Sequence, residues 1–400
     1  MSVLNLLNNP HVWAEYFEYK TGNDRLTKKE TAKLAEFIEQ KSYEKASKNI
    51  VDGNGLSVPK KNLINKMGGK KRTVYNFEDD ENRVLKLLSY LLYKYDAALS
   101  DGCYSFRKGI SGSSAIHRLV RTPNISKMWS YKLDIKNYFN SICIPVLLPI
   151  LKEITADDPK LYLFFEKILI TNETVFEDEI VHESRGVMAG TPTSPFLANI
   201  YLGEMDKSFI AREIIYARYS DDIIVFAKSE QELSEYREIL HEFLAKYRLA
   251  INPDKEKISK PGEAWEYLGV EYKDGKIDLS EGTKQKIKGK IRRKARALYR
   301  WKLRKGASDE QTMRVMIRVL NRKLFENGNA HSLTWSRWFF PLVTEKEGFA
   351  EVDAYLQKYI RYIATGSHGK KNYKTSYEML KNMGYKSLVN EYYKYIYKKT

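Results

Sequence analysis

The sequence predicts an α+β fold, in which antiparallel hairpins pack with amphipathic helices and a strongly basic helical part follows. Three observations predict it. Paired runs of strand composition flank short polar turns, as in "IIYARYSDDIIVFAK" (214–228) and "WEYLGVEYKDGKIDL" (265–279). The segments between them carry apolar residues at helical spacing. From about residue 281 the composition turns to helix formers dense in Lys and Arg.

Taken in chain order, residues 1–66 read as a helical N-terminal extension, with good helix formers in "TKKETAKLAEFIEQKSYEKASKNI" and a solvated charged face. "GGKKRTVYNF" (68–77) joins a glycine pair and basic residues to a strand-like run; it lacks the Gly-Lys-Ser/Thr ending of a phosphate loop. "EDDENRVLKLLSYLLYKYDAALSDG" reads as a helix with Val84, Leu87, Leu88, Leu91 and Leu92 on its apolar side. "SYKLDIKNYFNSI" (130–142) alternates up to Asp134, which places that carboxylate at a strand end. Ser194 and Pro195 read as the cap and first-turn proline of one helix carrying Leu197, Ile200, Tyr201 and Met205. The hairpin tip follows with Asp221 and Asp222, then a helix opened by Ser229 and Glu232 as a capping box. Asp274-Gly275 signals a second hairpin. Four regions result: 1–66, 67–280, a basic helical stretch 281–330 and a helical 331–400 that mixes aromatics with Lys.

A chain of 400 residues with 43% hydrophobic content buries a substantial core. Its formal charge of +17, from 68 Lys and Arg against 51 Asp and Glu, points to a polyanionic partner. The 29 tyrosines suit stacking on bases, and equally suit core packing. Cys103 and Cys143 are too few for a disulfide framework or structural zinc, and the six histidines lack metal-ligand spacing. No apolar segment reaches the roughly 18 residues that span a bilayer and no signal-peptide core is present, so a cytoplasmic protein without membrane contact is expected.

Asp221 and Asp222 are like charges side by side between apolar flanks. Burying them unpaired costs several kcal/mol per ion, by order of magnitude, so a cation is expected at the tip. Magnesium suits oxygen ligands and bridges carboxylates to phosphates. Asp134, brought alongside by folding, completes a set of three carboxylates able to hold two metal ions roughly 4 Å apart.

The order of these parts resembles the reverse transcriptases: strand-Asp-helix, then "GTPTSP", then a Tyr-x-Asp-Asp hairpin, then a helix and a "YLGV" hairpin. Motifs carry the resemblance over about 68–275, and general layout to about 390. It implies a right-hand polymerase with fingers and palm (67–280) and a basic helical thumb (281–330). "KKRTVYNF" is similar to the fingers strand that meets the incoming triphosphate, which implies Lys71 and Arg72 there. "CYSFRKGIS" resembles an element of group II intron-type enzymes and carries Phe106 and Arg107 as nucleic-acid contacts, with Ser105 where a glycine usually stands. The first catalytic motif makes Asp134 a metal ligand and Ile135 a backbone ligand. It also sets Tyr138 or Phe139, with Phe139 favoured, against the sugar 2′ position. "GVMAGTPTSP" puts Ala189 and Gly190 at the nascent base pair, Ala189 replacing the usual glutamine.

Tyr219-Ser220-Asp221-Asp222 resembles the catalytic box, which implies Tyr219 on nucleic acid, Asp221 as the direct metal ligand and Asp222 as the second carboxylate, and "NPDKEK" implies Lys255, over Lys257, as general acid to the pyrophosphate. "WEYLGVEY" resembles the primer grip, with Tyr267, Leu268 and Gly269 on nucleic acid; Lys290, Arg292, Arg293 and Arg296 of the thumb would track the duplex. The implied activity is RNA-directed DNA synthesis from deoxynucleoside triphosphates with two Mg2+, Mn2+ substituting. The implied partners are an RNA template and the DNA product strand, with self-association left open. The C-terminal "YIRYIATGSHGKKNY" and "LVNEYYKYIYKK" are similar to the tails of bacterial unknown-group enzymes of phage defence, related to group II intron proteins. "PTSP" and Ala364-Thr365-Gly366 echo retron enzymes, so a free-standing enzyme copying its own noncoding RNA in antiviral defence is expected. Untemplated or protein-primed DNA synthesis and a catalytically idle RNA-binding scaffold are the competing readings; a cyclic-dinucleotide synthase is excluded by its missing Gly-Gly-Asp/Glu-Glu-Phe box.

Overall fold

A computed structural model describes residues 2–22, 26–65, 69, 71–325 and 335–398. Gly68 and Lys70 of the basic strand motif lie outside the described residues. The chain divides into two compact units, one formed by the N-terminal residues with 28–261, the other by the residues from 262 on.

In the first unit a short 3-10 turn (Val3–Asn8) leads to α1 (Pro10–Thr21), α2 (Lys28–Glu39) and α3 (Glu44–Val51). Asn9 starts α1 by accepting the His11 N–H at 2.9 Å, with Pro10 in the first turn where no N–H is needed. Trp13 is fully buried, stacks on Tyr43 at 4.7 Å and donates Nε1–H to the Leu7 carbonyl at 2.8 Å. Leu4, Leu7, Trp13 and Ile50 share one hydrophobic core with Leu85 and Leu88, so these helices are built into the unit.

The stretch read as a helical extension ends in a strand. β1 (Lys60–Asn65) pairs antiparallel with β2 (Lys71–Asn76), Ile64 opposite Arg72. Its lysines and asparagines give no strand signal, because the hydrogen bonds that hold it come from partners outside the segment. After α4 (Asp79–Leu91) and a 3-10 continuation to Ala98 come α5 (Gly112–Val120), β3 (Trp129–Asp134), α6 (Tyr138–Ser141), α7 (Ile144–Ile154) and α8 (Pro159–Ile170). β4 (Glu173–Phe176) and β5 (Glu179–His182) complete a sheet of order β2-β1-β4-β5.

The helix expected from Ser194 is two helices, α9 (Ser194–Tyr201) and α10 (Gly203–Ala211). Ser194 does not cap its own helix: Thr193 occupies that position, and the Ser194 hydroxyl turns back to the Met188 carbonyl at 2.7 Å. Pro195 stands in the first turn as expected. β6 (Ile215–Tyr219), β7 (Asp222–Ala227), α11 (Glu230–Lys246) and β8 (Lys257–Ser259) follow. The second sheet has the order β6-β7-β3-β8, antiparallel throughout. Ile223, Ile224, Val225 and Phe226 are all buried, which is why β7 reads as a continuous apolar run rather than an alternating one.

In the second unit β9 (Trp265–Tyr267), β10 (Val270–Lys273) and β11 (Lys276–Leu279) form a small antiparallel sheet. Asp274 and Gly275 both have positive φ, 49° and 83°, as a two-residue hairpin turn requires. α12 (Glu281–Lys305), α13 (Asp309–Phe325), α14 (Trp335–Phe339), α15 (Glu347–Thr365), α16 (Tyr377–Asn382) and α17 (Leu388–Tyr397) complete it. Ile287, Ile291, Ala295 and Leu298 bury one face of α12 against α15, whose Val352, Leu356, Ile360 and Ile363 are fully buried. Asp353 of α15, itself buried, accepts from the Tyr385 hydroxyl at 2.6 Å, the Ser387 hydroxyl at 2.8 Å and the Leu388 N–H at 2.8 Å, and so seats the start of α17.

Candidate active site

Strand register decides which carboxylates meet. β3 runs antiparallel beside β7 with Asp134 directly opposite Asp222, and the Ile135 N–H donates to the Asp221 carbonyl at 3.0 Å. Residues 88 positions apart in the chain are thus brought to one end of one sheet. The turn that joins β6 to β7 is tight, with Ser220 in the left-handed region at φ 60°.

Two ammonium groups face this cluster. Lys255 Nζ lies 2.6 Å from Asp134 Oδ2, and Lys132 Nζ lies 3.6 Å from Asp222 Oδ1. Asn252 adds an N–H to the Asp134 carbonyl at 2.8 Å. Burial, together with the negative charge of Asp134, pushes the Asp221 carboxyl up to about 6. Burial also raises Asp222, with Lys132 opposing. A proton held more tightly than usual at both aspartates marks a place where a further positive charge is favoured.

Three hard oxygen donors, two of them with suppressed acidity, suit a divalent ion such as Mg2+, so the residues fit the metal that the motif implies. Among the described residues no three carboxylate, imidazole or thiol groups stand together as a set able to hold a metal ion. In this structure Asp134 and Asp222 instead face the two lysines.

Aromatic side chains border the carboxylates. Phe106 is 44% exposed, and its ring lies 6.4 Å from Phe139 and 6.1 Å from Tyr219. Of the adjacent pair Tyr138 and Phe139, Tyr138 is withdrawn: it is buried and donates its hydroxyl to the Ala198 carbonyl at 2.6 Å. Phe139 is half-buried, and its ring lies 6.4 Å from that of the exposed Phe106. Ala189 is buried, its carbonyl accepting from the Tyr75 N–H at 2.8 Å and its N–H donating to Asn140 Oδ1 at 2.8 Å. Gly190 has φ 109°, which L side chains rarely adopt, and a Cβ there would stand 3.0 Å from the Tyr75 carbonyl, so β2 lies tight against it. Lys71 and Arg72 are exposed on β2.

Two residues expected on nucleic acid are buried in this structure. The Arg107 guanidinium is almost wholly buried, holding Asp96 at 3.0 Å and the carbonyls of Ser100 and Cys103. Its donors are spent on the fold. Tyr267 is fully buried within the second unit. Leu268 and Gly269 form the β9–β10 turn there, with φ 47° and 89°. Lys290, Arg292, Arg293 and Arg296 are exposed, on α12 positions other than its buried stripe.

Sequence reasoning missed what lies under the turn. Arg218 is wholly buried, its Nε 2.9 Å from Asp206 Oδ1 and its Nη2 3.1 Å from the Asn199 carbonyl. Ser105, also fully buried, accepts the Ser220 N–H at 2.9 Å and donates to Asn199 Oδ1 at 2.8 Å. An arginine in the middle of the otherwise apolar "IIYARY" is the available signal, since such a charge must find a partner.

A family profile described as Reverse transcriptase (RNA-dependent DNA polymerase) matches residues 58–272. The Retron Ec86 reverse transcriptase of Escherichia coli is 29% identical over 106 residues, 26% of this chain and 33% of that protein. The match therefore spans about a third of that relative's length. Among solved structures, telomerase from Candida albicans with a fragment of telomeric RNA aligns at TM-score 0.46 and 13% identity, over 88% of this chain and 66% of that one. Apo telomerase from Candida tropicalis aligns at 0.46 and 12%, over 84% and 61%.

Proposed function

The chain belongs to the reverse transcriptase (RNA-dependent DNA polymerase) family, and from that premise we propose that it copies an RNA template into DNA by two-metal nucleotidyl transfer. The observation that carries the reading is the convergence of Asp134 opposite Asp222, with the Asp221 backbone tied to Ile135. Asp134, Asp221 and Asp222, with the Ile135 carbonyl, would hold two Mg2+ ions, for which Mn2+ would substitute. When bound, such ions activate the primer hydroxyl and stabilise the leaving pyrophosphate.

The chain's own residues do the remaining work. Lys255 would release Asp134 when the ions bind and deliver its proton to the pyrophosphate. Phe139 would crowd a 2′-hydroxyl and favour deoxynucleotides. Lys71 and Arg72 would meet the triphosphate. Gly190, held against β2, would set the backbone beside the nascent base pair. The exposed cations of α12 would contact phosphates of the template and product duplex, an interaction that weakens with salt.

The template in this reading is a structured noncoding RNA of the enzyme's own, and the setting is antiviral defence; the matched segment of a retron enzyme supports it. A second reading, synthesis without template pairing, is favoured by Ala189, which offers no side-chain hydrogen bond where a glutamine amide usually stands. Primer extension with deoxynucleotides on RNA tests the polymerase; no incorporation refutes it. Sequencing the nucleic acid that copurifies with wild type and with Asp221→Asn tests the template. A DNA copy of one structured RNA, lost in the variant, is expected; product without a complementary RNA would favour the second reading.

A further inference from the structure

The turn that presents Asp221 and Asp222 is not held by its own strands alone. Ser220 sits at φ 60°, a conformation L side chains adopt rarely, and its own hydroxyl is buried without a hydrogen-bond partner among the described residues. Its N–H is satisfied from elsewhere, by the hydroxyl of Ser105, 115 residues earlier in the chain.

Ser105 is itself closed into a reciprocal pair. Its hydroxyl donates to Asn199 Oδ1 at 2.8 Å, and Asn199 Nδ2 returns to the Ser105 carbonyl at 2.6 Å. A hydroxyl has one proton, so donating it to Asn199 leaves the oxygen lone pairs facing the Ser220 N–H. The side-chain amide thus fixes the hydroxyl as an acceptor toward the turn.

The loop bearing Ser105 is clamped to β6 on its other side. The Tyr104 N–H donates to the Arg218 carbonyl at 2.9 Å, and the Arg218 N–H donates to the Gly102 carbonyl at 2.8 Å. The next residue, Phe106, has φ 55° and sets its ring against Phe139 and Tyr219. One short loop therefore touches both the backbone that aims the carboxylates and the ring that would border the sugar.

We propose that Ser105 is a positioning residue of the active site, whose hydroxyl fixes the Ser220 backbone and through it the aim of Asp221 and Asp222. A glycine at this position, as the resemblance would place there, supplies no such acceptor. The inference deepens the polymerase reading and rests on it only for its consequence in catalysis. Ser105 touches neither substrate nor metal; it acts through the turn.

The test compares wild type with Ser105→Ala and Ser105→Gly, and with Asn199→Ala alone and combined with Ser105→Ala. Amide exchange of the peptide containing Ser220, measured without metal, is expected to speed up about five- to tenfold, the equivalent of one ordinary hydrogen bond. Mn2+ dissociation constants are expected to rise by a similar factor. Primer-template affinity should stay within about twofold, because the positioned groups are not duplex contacts. Adding Asn199→Ala to Ser105→Ala should cost little more than either alone, because both act through one hydroxyl. Folded Ser105→Ala and Ser105→Gly variants with wild-type exchange at Ser220 and wild-type Mn2+ affinity would overturn the proposal. If the wild type incorporates no deoxynucleotide, the polymerase reading falls while exchange and Mn2+ binding still decide this one.

Discussion

Arg218 and Asp206 form an ion pair from which water is excluded, directly beneath the turn that carries Asp221 and Asp222. Burial disfavours the charge on Arg218, but Asp206 outweighs it and keeps the guanidinium protonated. The same arginine reaches the carbonyls of Asn199 and Ser220, at 3.1 Å and 3.4 Å, so the pair ties α9 and α10 to the hairpin tip.

Breaking this pair leaves a charge without compensation. Arg218→Met or Asp206→Asn is expected to cost about 3–5 kcal/mol of stability. Replacing both by apolar residues of similar volume is expected to cost much less. Thermal unfolding of the three variants checks this; equal losses in single and double variants would mean that the pair is not the unit.

Tyr138 and Phe139 are adjacent but separable. Tyr138→Phe removes the donor to the Ala198 carbonyl and should lower stability by about 1 kcal/mol with no change in sugar preference. Phe139→Ala should raise ribonucleotide incorporation relative to deoxynucleotide by about 10- to 200-fold. Thermal melts read the first effect and competitive single-nucleotide incorporation the second.

With its carboxyl pushed up to about 6, Asp221 binds a proton in competition with any divalent ion. Lowering the pH from about 7.5 to about 5.5 should weaken Mn2+ binding by about fourfold through this group alone. Stability has the opposite sign. The folded, metal-free protein holds a proton that the unfolded chain has already released, so this carboxyl adds stability as the pH falls through 6 toward its unfolded value. Mn2+ titration and thermal melts across this range, with Asp221→Asn as the reference, resolve both trends.

Arg107 and the cations of α12 should respond differently to removal. Arg107→Ala is expected to destabilise by about 1–3 kcal/mol, through Asp96 and the two carbonyls it leaves, with the salt dependence of nucleic-acid binding unchanged. Replacing Lys290, Arg293 and Arg296 together should leave stability nearly intact and flatten the slope of log affinity against log salt by about 2–3.

What a sequence pattern reveals depends on how local its cause is. The alternation ending at Asp134 and the apolar run after Asp222 are local, and on pattern alone they place both carboxylates at strand ends, where β3 and β7 carry them. Motif position sets Arg107 and Tyr267 near a site, but burial depends on distant packing, and both turn inward. β1 reads as part of a helical extension because its ladder comes from β2 and β4 rather than from its own residues. Ser105, Asn199, Asp206 and Arg218 make sense only as a group, and three different chain segments supply it.

Asp134 is the sharpest probe of two-metal transfer at this site, because it reaches the hairpin tip only through folding. Incorporation of deoxynucleotides on a primed RNA template should fall by at least about 10²–10³ in Asp134→Asn, with primer-template affinity kept within about twofold. Incorporation at the wild-type rate by that variant would mean that Asp134 holds no catalytic metal ion.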